Sequence, residues 1–236
     1  MSFAFPRLDR RRFLLASAGL SAGIGSVGAA LAQGYGQAFK VENDEGRPIA
    51  NMRLPGEIVG EIPALRGVTY IGPAEAETTL YEFFDYNCPY CRKAAADMVS
   101  LSESDPSLRI GLINNPILAV QSAQAAKVAL AIQRKLGSAA TWNLYRTLLA
   151  RPGKIDGPGA LQAAAKLGVA ATEIESIADS EDVRLALKAQ MRMAADLGLA
   201  ATPSYVLGNT GLLGHPGPKA LARMIAATRR CDRIAC

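Results

Sequence analysis

Apolar residues along the chain switch between two periods, and the switch points outline an alternating α/β architecture. Thr78 to Tyr86 (TTLYEFFDY) is apolar and aromatic after a polar PAEAE stretch, and it predicts a buried strand. Gly67 to Gly72 (GVTYIG) has the β-branched and aromatic character of a short strand before it. A helix follows from Pro89, with Cys91, Ala95 and Met98 on one face, and Leu108 to Ile113 (LRIGLI) predicts the next strand. From about Val120 to Leu199 the period is helical. Ala125, Val128, Ala129, Ile132 and Leu136 keep it, as do Leu187, Met191 and Ala194 further on. Gly137, Pro152-Gly153, Gly157-Pro158-Gly159 and Gly168 punctuate these helices. Ser204 to Leu207 returns to strand chemistry, GNTG makes a turn into Leu212-Leu213, and Pro218 opens a last helix with Leu221, Met224 and Ile225 inward. The order is strand, strand, helix, strand, a helical block of some eighty residues, strand, strand, helix.

The two ends do not fit this rhythm. Residues 33–66 (GYGQ, VENDEGRP, RLPGEIVGEIP) predict an extended N-terminal arm. Residues 1–32 have a basic start, an uncharged run beginning at Phe13, and small residues at Ala30 and Ala32, the pattern of an export signal cleaved after Ala32. RRRFLL resembles the twin-arginine export consensus, with Arg10 and Arg11 as the pair; Asp9 departs from it, as does the lack of a basic residue near the cleavage point. An ordinary secretory signal and an uncleaved anchor are the alternatives. GLSAG at 19–23 and GIGSVG at 23–28 imitate a hydrolase elbow and a dinucleotide-binding turn, but neither has a strand before it and a helix after it.

Composition narrows the function. Half of the 236 residues are apolar, enough for a substantial core. The net charge of +5 owes much to the leader: without residues 1–32, 22 basic residues face 20 acidic ones, a net of +2. No basic stripe interleaved with aromatics remains to bind nucleic acid. The single histidine, His215, excludes multi-histidine metal centres, and in GHPG it reads as a surface turn residue. Trp142, Met191 and Met193 read as packing residues.

The chemistry concentrates in NCPYCRK. A thiolate is the species that attacks a disulfide, so a reactive cysteine needs a lowered pKa. Cys88 stands where the predicted helix begins, with unpaired backbone N–H groups ahead of it and Pro89 at the first helical position. Cys91, one turn on, lies on the apolar face. The spacing predicts one accessible nucleophile and one shielded resolving thiol. The competing readings are a structural disulfide, which so short a loop would reward poorly, and a zinc site that recruits Cys231 and Cys236. In an oxidising compartment those last two cysteines are expected to form a small tail disulfide instead, worth at most about 2 kcal/mol; a second dithiol that exchanges with the first is the sharper alternative.

EFFDYNCPYCRK, NNPIL with its SAQAAKVALA helix, and LGLAATPSYVLG together resemble the DsbA-type thiol:disulfide oxidoreductases of bacterial envelopes, over roughly Gly67 to Thr228. The resemblance implies an α/β, thioredoxin-like fold with an all-helical insertion. The thioredoxin-like part would comprise 67–117 and 200–230, the inserted helices 118–199, and a cysteine-containing tail 231–236. It implies that Cys88 attacks and Cys91 resolves, and that Thr202-Pro203 is the cis-proline loop. Pro89, Tyr90, Thr202 and Pro203 would then meet the substrate. It also places Glu82 beneath the site as a proton exchanger for Cys91; a satisfied strand glutamate is the alternative. It implies no bound cofactor and no metal, reduced exported proteins as substrates, and a membrane redox partner. Tyr90 stands where the best-known oxidants of the family carry histidine, and CPYC is also the glutaredoxin motif, in far shorter chains. The reading is an oxidant that introduces disulfides. A reductase or isomerase is the alternative, or a metal-binding or chaperone module of the same fold.

Overall fold

The computed structural model describes residues 37–236, so the expected export signal lies outside the described residues. Six strands form one mixed sheet: β1 (Asn51–Arg53), β2 (Thr69–Ile71), β3 (Thr78–Phe84), β4 (Leu108–Asn114), β5 (Ser204–Leu207) and β6 (Thr210–Leu213). Their spatial order is β1-β6-β5-β3-β4-β2. Only β3 and β4 are parallel. The helix between them, α2 (Pro89–Ser104), supplies the crossover that a parallel pair requires. A short α1 (Gly56–Val59) precedes β2. Five helices lie between β4 and β5: α3 (Val120–Leu136), α4 (Ser138–Leu149), α5 (Gly157–Ala165), α6 (Ala171–Ala178) and α7 (Glu181–Asp196). The last, α8 (Pro218–Cys231), follows β6. This is a thioredoxin-like fold with a helical insertion.

The sheet is covered on both faces, which is why β3 reads as an unbroken apolar run. Leu80 and Phe84 point to the larger core, shared with Cys91, Met98, Leu221 and the inserted helices. Tyr81 and Phe83 point to a second core with Leu54, Ile62, Met193 and Leu197. Strand alternation therefore puts Glu82 on the same face as Leu80 and Phe84, fully buried.

Three expectations need correction. The arm at 33–66 is, from residue 37 on, part of the fold: Asn51–Arg53 pair with β6, and Ile49, Leu54 and Ile62 are buried. Its Asp44 carboxylate accepts from the Lys219 and Ala220 N–H groups and caps α8. A three-residue edge strand amid Gly and Pro has too short a pattern to read. Met191 is not an inward residue, because the buried stripe of α7 runs through Val183, Ala186, Leu187, Gln190, Met193 and Ala194. Leu136 is likewise exposed at the end of α3. A polar residue occupies the inward position that Met191 was expected to share. Gln190 is wholly buried; its carbonyl accepts from the Asn114 backbone and side chain, and its amide donates to the Arg66 carbonyl, docking the insertion onto β4.

Gly111 on β4 lies opposite Tyr81, and a Cβ there would stand 2.5 Å from Cδ1 of that ring. Gly111→Ala should therefore destabilise the protein by about 1–3 kcal/mol, read as a lowered urea midpoint at unchanged m-value.

Candidate active site

The site forms where β3 ends and α2 begins. Cys88 is the N-cap of α2, with extended backbone, and Pro89 sits in the first turn, where a missing N–H costs nothing. Both thiols are free: Cys91 is wholly buried, and Cys88 is nearly so. Across the sheet the Thr202–Pro203 peptide is cis, and the Cys88 Sγ–H donates to the Thr202 carbonyl at 3.0 Å. Residues 114 positions apart in the chain thus share one contact. Pro89 and Tyr90 are exposed beside it.

The two thiols differ because their surroundings differ. Cys88 is lowered to about 6, chiefly because the Cys91 thiol donates to it. Burial opposes this, and the Thr202 side chain with the backbone N–H groups of Cys91 and Tyr90 adds to it. The Thr202 hydroxyl is buried and has no partner while Cys88 is protonated, so it is free to donate to a thiolate. Cys91 is pushed far above the ordinary thiol range by burial first, then by its donation to Cys88 and the nearby Glu82 charge; the Asp85 N–H, 3.5 Å from its sulfur, opposes this weakly. The arrangement provides a thiolate at neutral pH and a second thiol held in reserve.

Glu82 lies under this pair. Burial raises its carboxyl to about 8, a hydrogen bond from Tyr145 lowers it, and the Cys88 charge raises it. The Tyr145 hydroxyl donates to Oε2 at 2.8 Å, whereas Oε1 has no partner. Trp142 stacks on the Tyr145 ring at 5.2 Å and holds it there, which is the packing role expected of it.

Several residues that secure the site were not singled out from the sequence. Asp85 is buried and accepts from the Asn87 N–H with one oxygen and the Leu118 N–H with the other, joining the cysteine loop to the loop after β4. The Asn87 side chain pairs with both backbone groups of Ile155, at 2.8 and 2.7 Å. Arg92 donates to the Arg151 and Gly153 carbonyls. Such polar residues beside a motif carry no periodic signal, and their partners lie tens of residues away. His215 departs from its expected surface position. Its side chain is only 8% exposed and bridges Tyr205 and Asp97, because the loop after β6 folds back toward α2. Cys231 and Cys236 are bonded to each other, which removes them from any four-cysteine zinc site. No group of residues suited to hold a metal ion occurs among the described residues.

A helix-capping Cys-x-x-Cys against a cis-proline loop defines a thioredoxin-fold thiol:disulfide oxidoreductase site. The chain belongs to the DSBA-like thioredoxin domain family, which matches residues 79–226, and it is an enzyme of that class. It is similar to a thioredoxin-like oxidoreductase from Silicibacter pomeroyi DSS-3, at 31% identity over 70% of this chain and 94% of that one, with a TM-score of 0.63. The catalytic domain of Proteus mirabilis ScsC shares the fold at 24% identity, 72% and 94% coverage and a TM-score of 0.63. The thiol-disulfide exchange protein alpha-DsbA2 from Wolbachia pipientis shares it at 19%, 72% and 94% coverage and 0.65. No curated protein matches in sequence.

The buried carboxyl gives a stability test. The folded-state pKa of Glu82 lies above its unfolded one, so the folded protein holds the extra proton. The relative stability this lends is complete below pH 4.5 and is lost as pH rises through about 8. Glu82→Gln should stabilise the reduced protein at pH 8, by on the order of a few kcal/mol, and flatten its stability between pH 5 and 8 in urea melts.

Proposed function

We propose that the protein is an exported oxidant that passes a Cys88–Cys91 disulfide to reduced proteins. The observation that carries this reading is the asymmetry of the thiols, with Cys88 lowered to about 6 and Cys91 raised. Stabilising the thiolate stabilises the reduced form, so the disulfide is a correspondingly better oxidant. In the oxidising direction a substrate thiolate attacks the Cys88 sulfur and the Cys88–Cys91 bond breaks. Cys91 leaves as a thiolate and takes up a proton, for which Glu82 is the adjacent buried donor. A second substrate thiolate then attacks the substrate sulfur of the mixed disulfide. The substrate leaves oxidised by two electrons, and Cys88 leaves as the stabilised thiolate. Reoxidation falls to a membrane redox partner.

The surroundings suit an unfolded polypeptide as substrate. Tyr90 is 66% exposed and Val120 75%, and Ile117 and Leu118 are exposed with them at the same end of the sheet. Apolar side chains left in water around a reactive sulfur favour apolar, extended chain. In this reading the Thr202 backbone beside Cys88 and Pro203 pairs with such a strand.

Export rests on residues 1–32 and on the Cys231–Cys236 disulfide, a bond that persists in oxidising compartments. One structural relative is described as a periplasmic thioredoxin-like protein from Salmonella enterica serovar Typhimurium. Replacing Arg10 and Arg11 by Lys should leave the full-length protein in the cytoplasmic fraction and abolish processing; unchanged secretion would point to the general secretory route instead.

Tyr90 favours one competing reading, a reductase or isomerase, because it brings no positive charge to the thiolate. The reduction potential separates the two. A value nearer the roughly −120 mV of strong oxidants supports donation, and one near the roughly −270 mV of thioredoxin assigns the protein to reduction. Cys88→Ser should abolish exchange, whereas Cys91→Ser should accumulate mixed disulfides with substrate on non-reducing gels.

A further inference from the structure

His215 is a buried titratable group to which the site as described gives no task. His215 Nε2 lies 2.8 Å from Asp97 Oδ2, and His215 Nδ1 lies 2.8 Å from the Tyr205 hydroxyl. Asp97 is on α2, the helix that Cys88 caps, six residues beyond Cys91. Tyr205 is on β5, two residues after Pro203, and it lies directly opposite Glu82 in the β3–β5 ladder. The loop that carries His215 is also tied to the cis-proline loop, since Gly214 N–H donates to the Pro203 carbonyl at 2.9 Å. One imidazole therefore joins the active-site helix to the strand behind the substrate loop.

Its hydrogen bonds have a direction. Asp97 can only accept, so the neutral ring carries its proton on Nε2 and accepts the Tyr205 O–H at Nδ1. A second proton on the ring reverses the inner bond: Nδ1–H then donates to the phenol oxygen, and the Tyr205 hydrogen must turn elsewhere. Glu82, across the ladder, has the buried Oε1 that lacks a partner. The outer bond becomes an ion pair with Asp97, whose side chain is 29% exposed and gives the ring its way to solvent. The ring is hydrogen-bonded to Asp97 from α2 and Tyr205 from β5. Asp44, whose backbone N–H holds the Pro216 carbonyl, is committed to the N–H groups of α8.

We propose that His215 is a positioning residue of the dithiol couple: set between Asp97 and Tyr205, it takes up a proton when Cys88 becomes a thiolate, and so makes the disulfide more oxidising as the medium turns acid. The Tyr205 phenol is raised mainly by burial, and it also feels the charges of Glu82, Cys91, Asp97 and Cys88, so a charge formed at the dithiol reaches the ring's own hydrogen-bond partner. Reduction of the disulfide by a substrate dithiol moves two electrons to the pair and breaks its S–S bond. It leaves a thiolate at Cys88 and a thiol at Cys91; of the two protons that the substrate dithiol gives up, one replaces the proton that Glu82 passes to Cys91 and the other goes to solvent. The proton on His215 comes from solvent at Asp97. Because linkage is reciprocal, the factor by which reduction raises the proton affinity of His215 is the factor by which its protonation favours reduction.

This rests on exchange at Cys88–Cys91 but not on its direction in the envelope. The chain has one histidine, so the ring gives a single C2–H resonance for NMR titration. The expected result is a His215 pKa about half a unit higher in the reduced protein than in the oxidised one, a roughly threefold linkage. His215→Gln keeps a donor toward Asp97 and an acceptor toward Tyr205 but cannot take a proton. Proton release by Cys88 makes reduction by glutathione less favourable as pH falls, and uptake by His215 offsets this, so the equilibrium constant of His215→Gln should change about threefold more than that of the unaltered protein between pH 8 and 5.5. Asp97→Asn, at a partly exposed position, removes the carboxylate that holds the charged ring and should move the pH profile toward that of His215→Gln. Identical His215 titrations in the two redox states, or a His215→Gln profile that coincides with wild type, overturns the proposal and makes the ring a structural strut. Failure of the unaltered protein to exchange with glutathione would overturn the proposed function instead.

Discussion

The contact between the Cys88 sulfur and the Thr202 carbonyl is the constraint on which the remaining architecture bears. A cysteine at a helix N-terminus is reactive wherever it occurs, but it becomes a selective exchanger only when a second backbone segment lies against it. Here that segment arrives from the far side of the helical insertion, so five helices must pack correctly before the site exists. The parallel β3–β4 pair and the antiparallel β3–β5 pair bring α2 and the cis-proline loop to one end of the sheet. The core that buries Cys91 also contains Tyr145, Leu148 and Ile174 of the insertion, so site and insertion share one hydrophobic body.

The insertion also supplies hydrogen bonds to the site. Tyr145 supplies the hydrogen bond that restrains the Glu82 carboxyl, Ile155 holds Asn87 by both backbone groups, and Leu118 binds Asp85. The last two of these contacts hold the loop from Asp85 to Cys88, and the first reaches the strand that leads into it. Removing solvent from Glu82 and Cys91 costs free energy, and the apolar packing of Phe84, Tyr86 and Tyr145 around them offsets that cost. The result is a thiolate at the helix N-terminus beside a thiol and a carboxyl that keep their protons in a dry interior.

Much of this was legible in the residues, for definite physical reasons. The strand at 78–86 and the helix from Pro89 were readable because a doubly covered strand is a continuous apolar run and a proline-led helix has a clear start. Cys88, Cys91 and the 202–203 loop stood out because their chemistry is concentrated in adjacent letters. The contribution of 37–66 to the sheet was not readable, since a three-residue edge strand has no periodicity to show. The burial of Gln190 ran against the expectation for a polar residue, and it is tolerated because three hydrogen bonds satisfy its amide. His215 in a Gly/Pro loop has every local mark of a surface turn.

What the sequence determined by itself was local: which stretches are strand or helix, which cysteine caps the helix, and which one faces the core. These follow from spacing and side-chain type over a few residues. Tertiary structure alone decided which distant groups would meet, namely Cys88 with Thr202, Glu82 with Tyr145, and Asp97 with His215 and Tyr205. Hydrogen bonds and pKa shifts depend on angstroms and on burial. Neither is a property of a residue until the chain has closed around it.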